Sequence, residues 1–174
     1  MEGRRPWPIF VLVILILPFF NWAIFSGLSS QSIVDNIEVG PGRTYSTISE
    51  AITNAERGQN IIVYPRFYQE NLIINRSVTL ISQSMLGATI DGSGRNNTVS
   101  VSVQGVTIHG FIIQNSGNNE TRGKSGLVGY DSGINIANNE VTISNCLFRN
   151  NPRTSIFNDY LGDRITITDC EFQG

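Results

Sequence analysis

Residues 106–115 (VTIHGFIIQN), 141–150 (VTISNCLFRN) and 165–174 (ITITDCEFQG) carry one pattern of apolar and polar positions three times. Val106, Val141 and Ile165 align, as do Ile108, Ile143 and Ile167, then Phe111, Cys146 and Cys170, then Ile113, Phe148 and Phe172. Polar residues fall between them, so the period is two and the segments are predicted strands with one buried face. The alternation breaks at Gly110, Asn145 and Asp169, which predicts a bend between two short strands in each copy. The copies are offset by 35 and 24 residues and run in the same direction, which is a solenoid spacing. Stacked in register ~4.8 Å apart, they form parallel sheets in which each inward side chain sits on its counterpart in the next coil. Phe111, Cys146 and Cys170 form one such column and Ile113, Phe148 and Phe172 a second. Asn115 and Asn150 fall at matching corners, where side-chain amides satisfy the backbone of a bend.

Residues 71–82, 87–92 and 98–105 are short β-type runs ended by Gly, Asn or Ser, and residues 132–140 precede the second phrase as 98–105 precede the first. Together these predict about four coils. One segment has a different period. TISEAITNAERG opens with Thr47 and places Glu50 three residues on, a capping box. Ile48, Ala51, Ile52 and Ala55 then share one helical face, with Gly58 predicted as the C-terminal stop. A short helix of this kind suits the open end of a first coil, where it covers apolar side chains and an unpaired sheet edge.

The first thirty residues depart from this pattern. Residues 9–28 hold no charge, and a helix of that length reaches ~30 Å, about one hydrocarbon core. Arg4 and Arg5 precede it, Trp7 and Trp22 sit near its ends, and Pro18 kinks but does not forbid it. The expectation is a cytoplasmic tip and membrane segment over 1–30, a linker over 31–36, and a β-domain outside the membrane over 37–174. Gly27 and Ser29 leave a cleaved signal peptide, and hence a secreted domain, as the alternative.

The stretch YSTISEAITNAERGQNIIVYPRFYQENLIINRSVTLISQS resembles the opening segment of right-handed parallel β-helix proteins of the pectin lyase-like superfamily. Within it the likeness is to the NosD-like and archaeal surface-protein branch, with some likeness to pectin methylesterases. Tyr68, Glu70 and Asn71 match that family's pattern, whereas Arg66 and Ser82 stand where glycine is usual. The resemblance spans residues 37–174 and implies an all-β, right-handed parallel β-helix with an N-terminal capping α-helix. It implies no single activity, because the superfamily holds lyases, hydrolases, esterases, epimerases and binding modules. No cap sequence follows the third phrase. A second copy, a partner or further coils is expected to cover that end.

Charge and chemistry narrow the function. Charged residues are 15% of the chain, the formal net charge is −2, and no basic run exists, which excludes nucleic acid as the expected partner. Among the carboxylates Asp91, Asp131, Asp159, Asp163, Asp169 and Glu171, no paired acidic motif of a polygalacturonase or methylesterase occurs, so no catalytic residue is assigned. Asp91, in TIDGSG, is expected in an Asx turn. Asp159 and Asp163 share a loop and are weak candidate Ca²⁺ ligands; no other cofactor is expected. His109, the single histidine, is an outward strand position, and copper handling of the NosD type needs several soft ligands that are missing here. Cys146 and Cys170 are expected as stacked thiols, with a disulfide as the alternative. The insert at 116–133 brings Arg122, Lys124, Tyr130 and Asp131 to one corner. That mixture suits a sugar ring, against the plainer reading of a surface insertion. Asn75, Asn96 and Asn119 begin N-x-[ST] triplets and are glycosylation candidates. The expected function is a membrane-anchored, non-catalytic extracellular β-helix module that binds carbohydrate or cell envelope. The alternatives are the N-terminal part of a polysaccharide lyase, hydrolase or epimerase, and a NosD-like periplasmic accessory protein.

Overall fold

A computed structural model describes residues 36–122, 128–159 and 164–174. The membrane segment expected at 9–28 lies outside them, as do Lys124 and Asp163. Among the described residues no helix is long and apolar enough to cross a membrane.

The chain opens with β1 (Ile37–Val39) and α1 (Ile48–Asn54), then winds through coils of three strands. The first coil is β2 (Gln59–Val63), β3 (Arg66–Gln69) and β4 (Leu72–Ile74); the second is β5 (Val78–Ser82), β6 (Ala88–Asp91) and β7 (Val99–Val101). The third is β8 (Val106–His109), β9 (Ile112–Gln114), an inserted hairpin of β10 (Glu120–Arg122) and β11 (Val128–Tyr130), and β12 (Ser132–Ile136). The fourth is β13 (Val141–Ser144), β14 (Leu147–Arg149) and β15 (Thr154–Asn158), followed by β16 (Ile165–Thr168) and β17 (Glu171–Gln173). Sheet 1 is ordered β1-β2-β5-β8-β13-β16, sheet 2 is β3-β6-β9-β14-β17 and sheet 3 is β4-β7-β12-β15, with every neighbouring pair parallel. This is a parallel β-helix of four complete coils and the first two strands of another.

The three phrases stack as their pattern requires. Val141 pairs with Val106 and with Ile165, and Ile143 with Ile108 and Ile167. In sheet 2 one column runs Tyr68, Ile90, Ile113, Phe148, Phe172. The rings of Phe148 and Phe172 stack with centroids 5.1 Å apart and planes within 10°. The bends at Gly110, Asn145 and Asp169 have φ of 80°, 54° and 53°, so each turns from sheet 1 to sheet 2 through the left-handed region. At the next corner Asn115 and Asn150 repeat this with φ of 56° and 51°. Along sheets 1 and 3 the inward residues are almost all Ile, Val or Leu and are buried. Each contributes roughly 1.5–3 kcal/mol before conformational entropy is counted. In the last strands Ile167 and Phe172 remain 43% and 53% exposed.

Coil length varies beyond the offsets of the three phrases: β5 lies 19 residues after β2, but β8 lies 28 after β5. The extra length sits in two corners, 83–87 and 92–98. Ser82, a departure from the family pattern, closes the first of these. Its hydroxyl donates to the Ser84 carbonyl at 2.7 Å and accepts from the Ala88 N–H at 3.1 Å. The helix also stops earlier than predicted. Thr47 caps it and accepts from the Glu50 N–H at 3.3 Å, but Ala55 is already extended. Gly58 instead occupies the following turn with φ 82°, where its N–H donates to the Ser77 carbonyl at 2.7 Å. The buried face of α1 is Ile48, Ala51 and Ile52, and it packs on β1, β2 and β4 at the start of the stack.

Cys146 and Cys170 are free thiols in one column, the first buried and the second partly exposed. Each donates weakly to backbone, Cys146 to the Ser144 carbonyl at 3.3 Å and Cys170 to the Thr168 carbonyl at 3.3 Å. Burial pushes the Cys146 thiol up from its ordinary value of 9.0 to about 11. The unfolded thiol therefore ionises first. The stability this group provides is complete below pH 9 and is lost as pH rises through 11. Denaturant titrations across that window are expected to show a loss approaching about 2–3 kcal/mol. In Cys146→Ala the slope across this window flattens; an unchanged slope overturns the assignment.

Candidate functional site

The corner between sheets 2 and 3 is built from polar side chains that hold the backbone. In the first coil the Glu70 carboxylate accepts from the Ile48 and Ser49 N–H groups, each at 2.9 Å, and from the Ser49 hydroxyl at 2.6 Å. Asn71 donates to the carbonyls of Arg95 at 2.6 Å and Asn97 at 2.9 Å, latching the wide loop of the second coil. Tyr68 is buried and donates to the Tyr64 carbonyl at 2.9 Å. The three residues that carry the family resemblance are thus structural fasteners. Asp91 is buried and forms the expected Asx turn, accepting from the Ser93 N–H at 2.7 Å. It also accepts from the amides of Gln114 and Asn115, both at 2.5 Å. Gln114 in turn accepts from Arg149 at 2.6 Å, so one polar ladder crosses three coils.

The insert leaves this corner as an antiparallel hairpin, with Glu120 opposite Tyr130 and Arg122 opposite Val128. Asp131 closes its neck. The carboxylate is only 3% exposed and accepts from the Asn119 N–H at 3.1 Å and from the Asn119 amide at 2.9 Å. Tyr130 is half-buried beneath Arg153, whose guanidinium lies 4.8 Å from the ring centroid and donates to Asn118 at 2.7 Å. β11 lies over β15, where a Cβ at Gly129 would come within 2.6 Å of the Phe157 ring. Only glycine permits so close an approach. Phe157 belongs to the outer face of sheet 3, in a row that runs Ile73, Ser100, Asn135, Phe157 across the four coils. Ile73 is 65% exposed, and the buried Oδ1 of Asn135 has no hydrogen-bond partner among the described residues. Of this row Phe157 is the member that meets the hairpin, through Gly129.

The other predicted positions are placed as follows. His109 lies on the outer face of sheet 1 with Nδ1 2.9 Å from the Ser144 hydroxyl. Asp159 is buried at the end of β15 and is hydrogen-bonded or paired. No group of three or more His, Cys, Asp or Glu converges among the described residues. Arg153, Phe157 and Asn135 were not singled out by sequence; the signal for Phe157 is its in-register position beside the insert.

The three glycosylation triplets differ in access. The Asn75 side chain is exposed and makes no hydrogen bond among the described residues, while Asn119 is committed to Asp131. Thr98, the third residue of the Asn96 triplet, is 0% exposed and donates to the Gln114 carbonyl at 3.1 Å. Modification of the folded chain is expected at Asn75 ahead of Asn119, with Asn96 unmodified. Intact-mass and glycopeptide measurements after expression in a glycosylating host check this order.

No family model matches the chain. It is 32% identical over 136 residues to a cell surface glycoprotein of Methanothermus fervidus, an alignment that covers 76% of the chain but 21% of that relative. Among solved structures it superposes on a pectin methylesterase from Erwinia chrysanthemi with a TM-score of 0.60 and 18% identity, covering 79% of this chain and 48% of the enzyme. An alginate lyase gives 0.56 at 17% identity, covering 80% and 20%, and a pectin methylesterase in complex with a hexasaccharide gives 0.54 at 16%, covering 79% and 48%. The chain thus spans less than half the length of each of these four proteins, and what it shares with the solved enzymes is their parallel β-helix.

Proposed function

We propose that the chain is a non-catalytic cell-surface module. In this reading residues 9–28 anchor it with the N-terminus cytoplasmic, and the β-helix outside binds carbohydrate beside the β10–β11 hairpin. The likeness to a cell surface glycoprotein supports the location. The observation that carries the binding role is the hairpin face, where the half-buried Tyr130 ring lies under the Arg153 guanidinium and the hairpin is seated on Phe157 through Gly129, which places an aromatic ring beside a set of N–H donors. Asp91 and Asp131 are buried in structural hydrogen bonds, which supports a binding role over a hydrolytic or eliminative one.

Full-length protein in detergent, tested against an array of neutral and acidic glycans, is expected to retain a subset without releasing product. Tyr130→Ala and Arg153→Ala each weaken retention about tenfold, as loss of a stacking or charged contact does, while His109→Ala on sheet 1 leaves it unchanged. Retention insensitive to both substitutions, or release of shortened or unsaturated glycan, overturns the proposal.

A further inference from the structure

A second cleft opens at the corner joining sheet 3 to sheet 1, with a volume of about 460 Å³. That size falls within the ~300–1,000 Å³ of small-molecule sites. Its walls come from successive coils that are tied together. The turn after Arg57 donates through Gly58 N–H to the Ser77 carbonyl at 2.7 Å, and the Ser77 hydroxyl donates to the Gln104 carbonyl at 2.7 Å. Asn138 reaches back to the Ser102 carbonyl at 3.1 Å. The cleft is therefore braced before anything enters it.

Its charge is one-sided. Arg57 and Arg76 both line it, and no carboxylate does. Elsewhere Arg43 pairs with Glu38, Arg164 pairs with Glu140, and Arg149 and Arg153 donate to amides. Arg57 and Arg76 have no such partner among the described residues, and the side-chain amide of Gln104 beside them makes no hydrogen bond there either. Two guanidinium groups and free amides offer more N–H donors than one carboxylate accepts, since a single guanidinium already satisfies its two oxygens. A tetrahedral ester with three terminal oxygens can engage both. We infer that this cleft binds a phosphate or sulfate monoester, with room beyond the anion for the sugar that carries it. The site lies at a different corner from the hairpin face and does not depend on the role proposed there.

The test uses full-length protein in detergent, produced in a host without N-glycosylation so that Asn75, which lines the cleft, is unmodified. Glucose 6-phosphate, glucose 6-sulfate, glucuronate and glucose are titrated by calorimetry at low salt. At least one of the two esters is expected to bind, and which one identifies the source; glucuronate binds more weakly and glucose does not bind. Arg57→Gln and Arg76→Gln each weaken the ester about tenfold and together abolish it. Arg95→Gln, at an exposed position outside the cleft, has no effect. Melting temperatures of the variants verify that the fold is retained. Absence of binding by both esters, glucuronate binding as tightly as the esters, or equal sensitivity to Arg95→Gln overturns the inference.

Discussion

Phe148→Ala is expected to destabilise the β-helix by about 3–5 kcal/mol, the range for truncating a large buried aromatic. Phe148 is fully buried, with Ile113 in register on one side and Phe172 stacked on the other at 5.1 Å. Truncation leaves a cavity that two rigid coils cannot close, because the backbone ladders on either side hold their spacing. Against a total of about 5–15 kcal/mol for a domain of this class, the loss removes a large part of the stability. The melting temperature is expected to fall by about 10–20 °C. Phe172→Ala is the control. It belongs to the same column but is 53% exposed, so it is expected to cost about 1 kcal/mol, mostly lost stacking. Equal effects from the two variants would show that Phe148 is not packed between neighbours as described.

Glu70→Ala is expected to cost about 2–3 kcal/mol and to release α1 from the first coil. One carboxylate accepts three hydrogen bonds, two of them from the first free N–H groups of the helix. Charge-assisted bonds of this kind are stronger than neutral ones, and the negative charge sits at the positive end of the helix. Hydrogen exchange at Ile48 and Ser49 should accelerate before exchange in β5 or β8 does. Glu70→Gln keeps one acceptor but turns an amide NH₂ towards the second N–H, so an intermediate loss is expected. Exchange in α1 that is unaltered by Glu70→Ala would show that Thr47 alone caps the helix.

These two residues mark how differently parts of the molecule are legible in its sequence. Phe148 could be placed from spacing alone. Its column recurs at 35 and 24 residues, and a parallel coil stacks like on like. The same holds for the left-handed bends at Gly110, Asn145 and Asp169, and for the Asx turn at Asp91. Glu70 is different. Its match to a family pattern was visible, but its partners Ile48 and Ser49 lie more than twenty residues earlier, and no local period connects them. The end of α1 was misplaced for a related reason. Residues 55–58 have acceptable helix chemistry, yet the chain turns at Ala55 because β2 must begin in register with β1 and β5.

Of the hairpin face, sequence supplied the insert and Tyr130, but not Arg153 or Phe157, which come from the following coil. It also grouped Asp131 with Tyr130 as a surface ligand, whereas the structure turns that carboxylate inward onto Asn119. Sequence by itself determined the repeat, the columns and the places where the coil bends, because alternation and a short list of turn residues encode these locally. Only the tertiary structure decided which corner residues meet across coils: Glu70 with α1, Arg153 with Tyr130, and Arg57 with Arg76 in one cleft. Those encounters depend on how much chain each corner takes up, and corner length varies freely while the sheet registers do not.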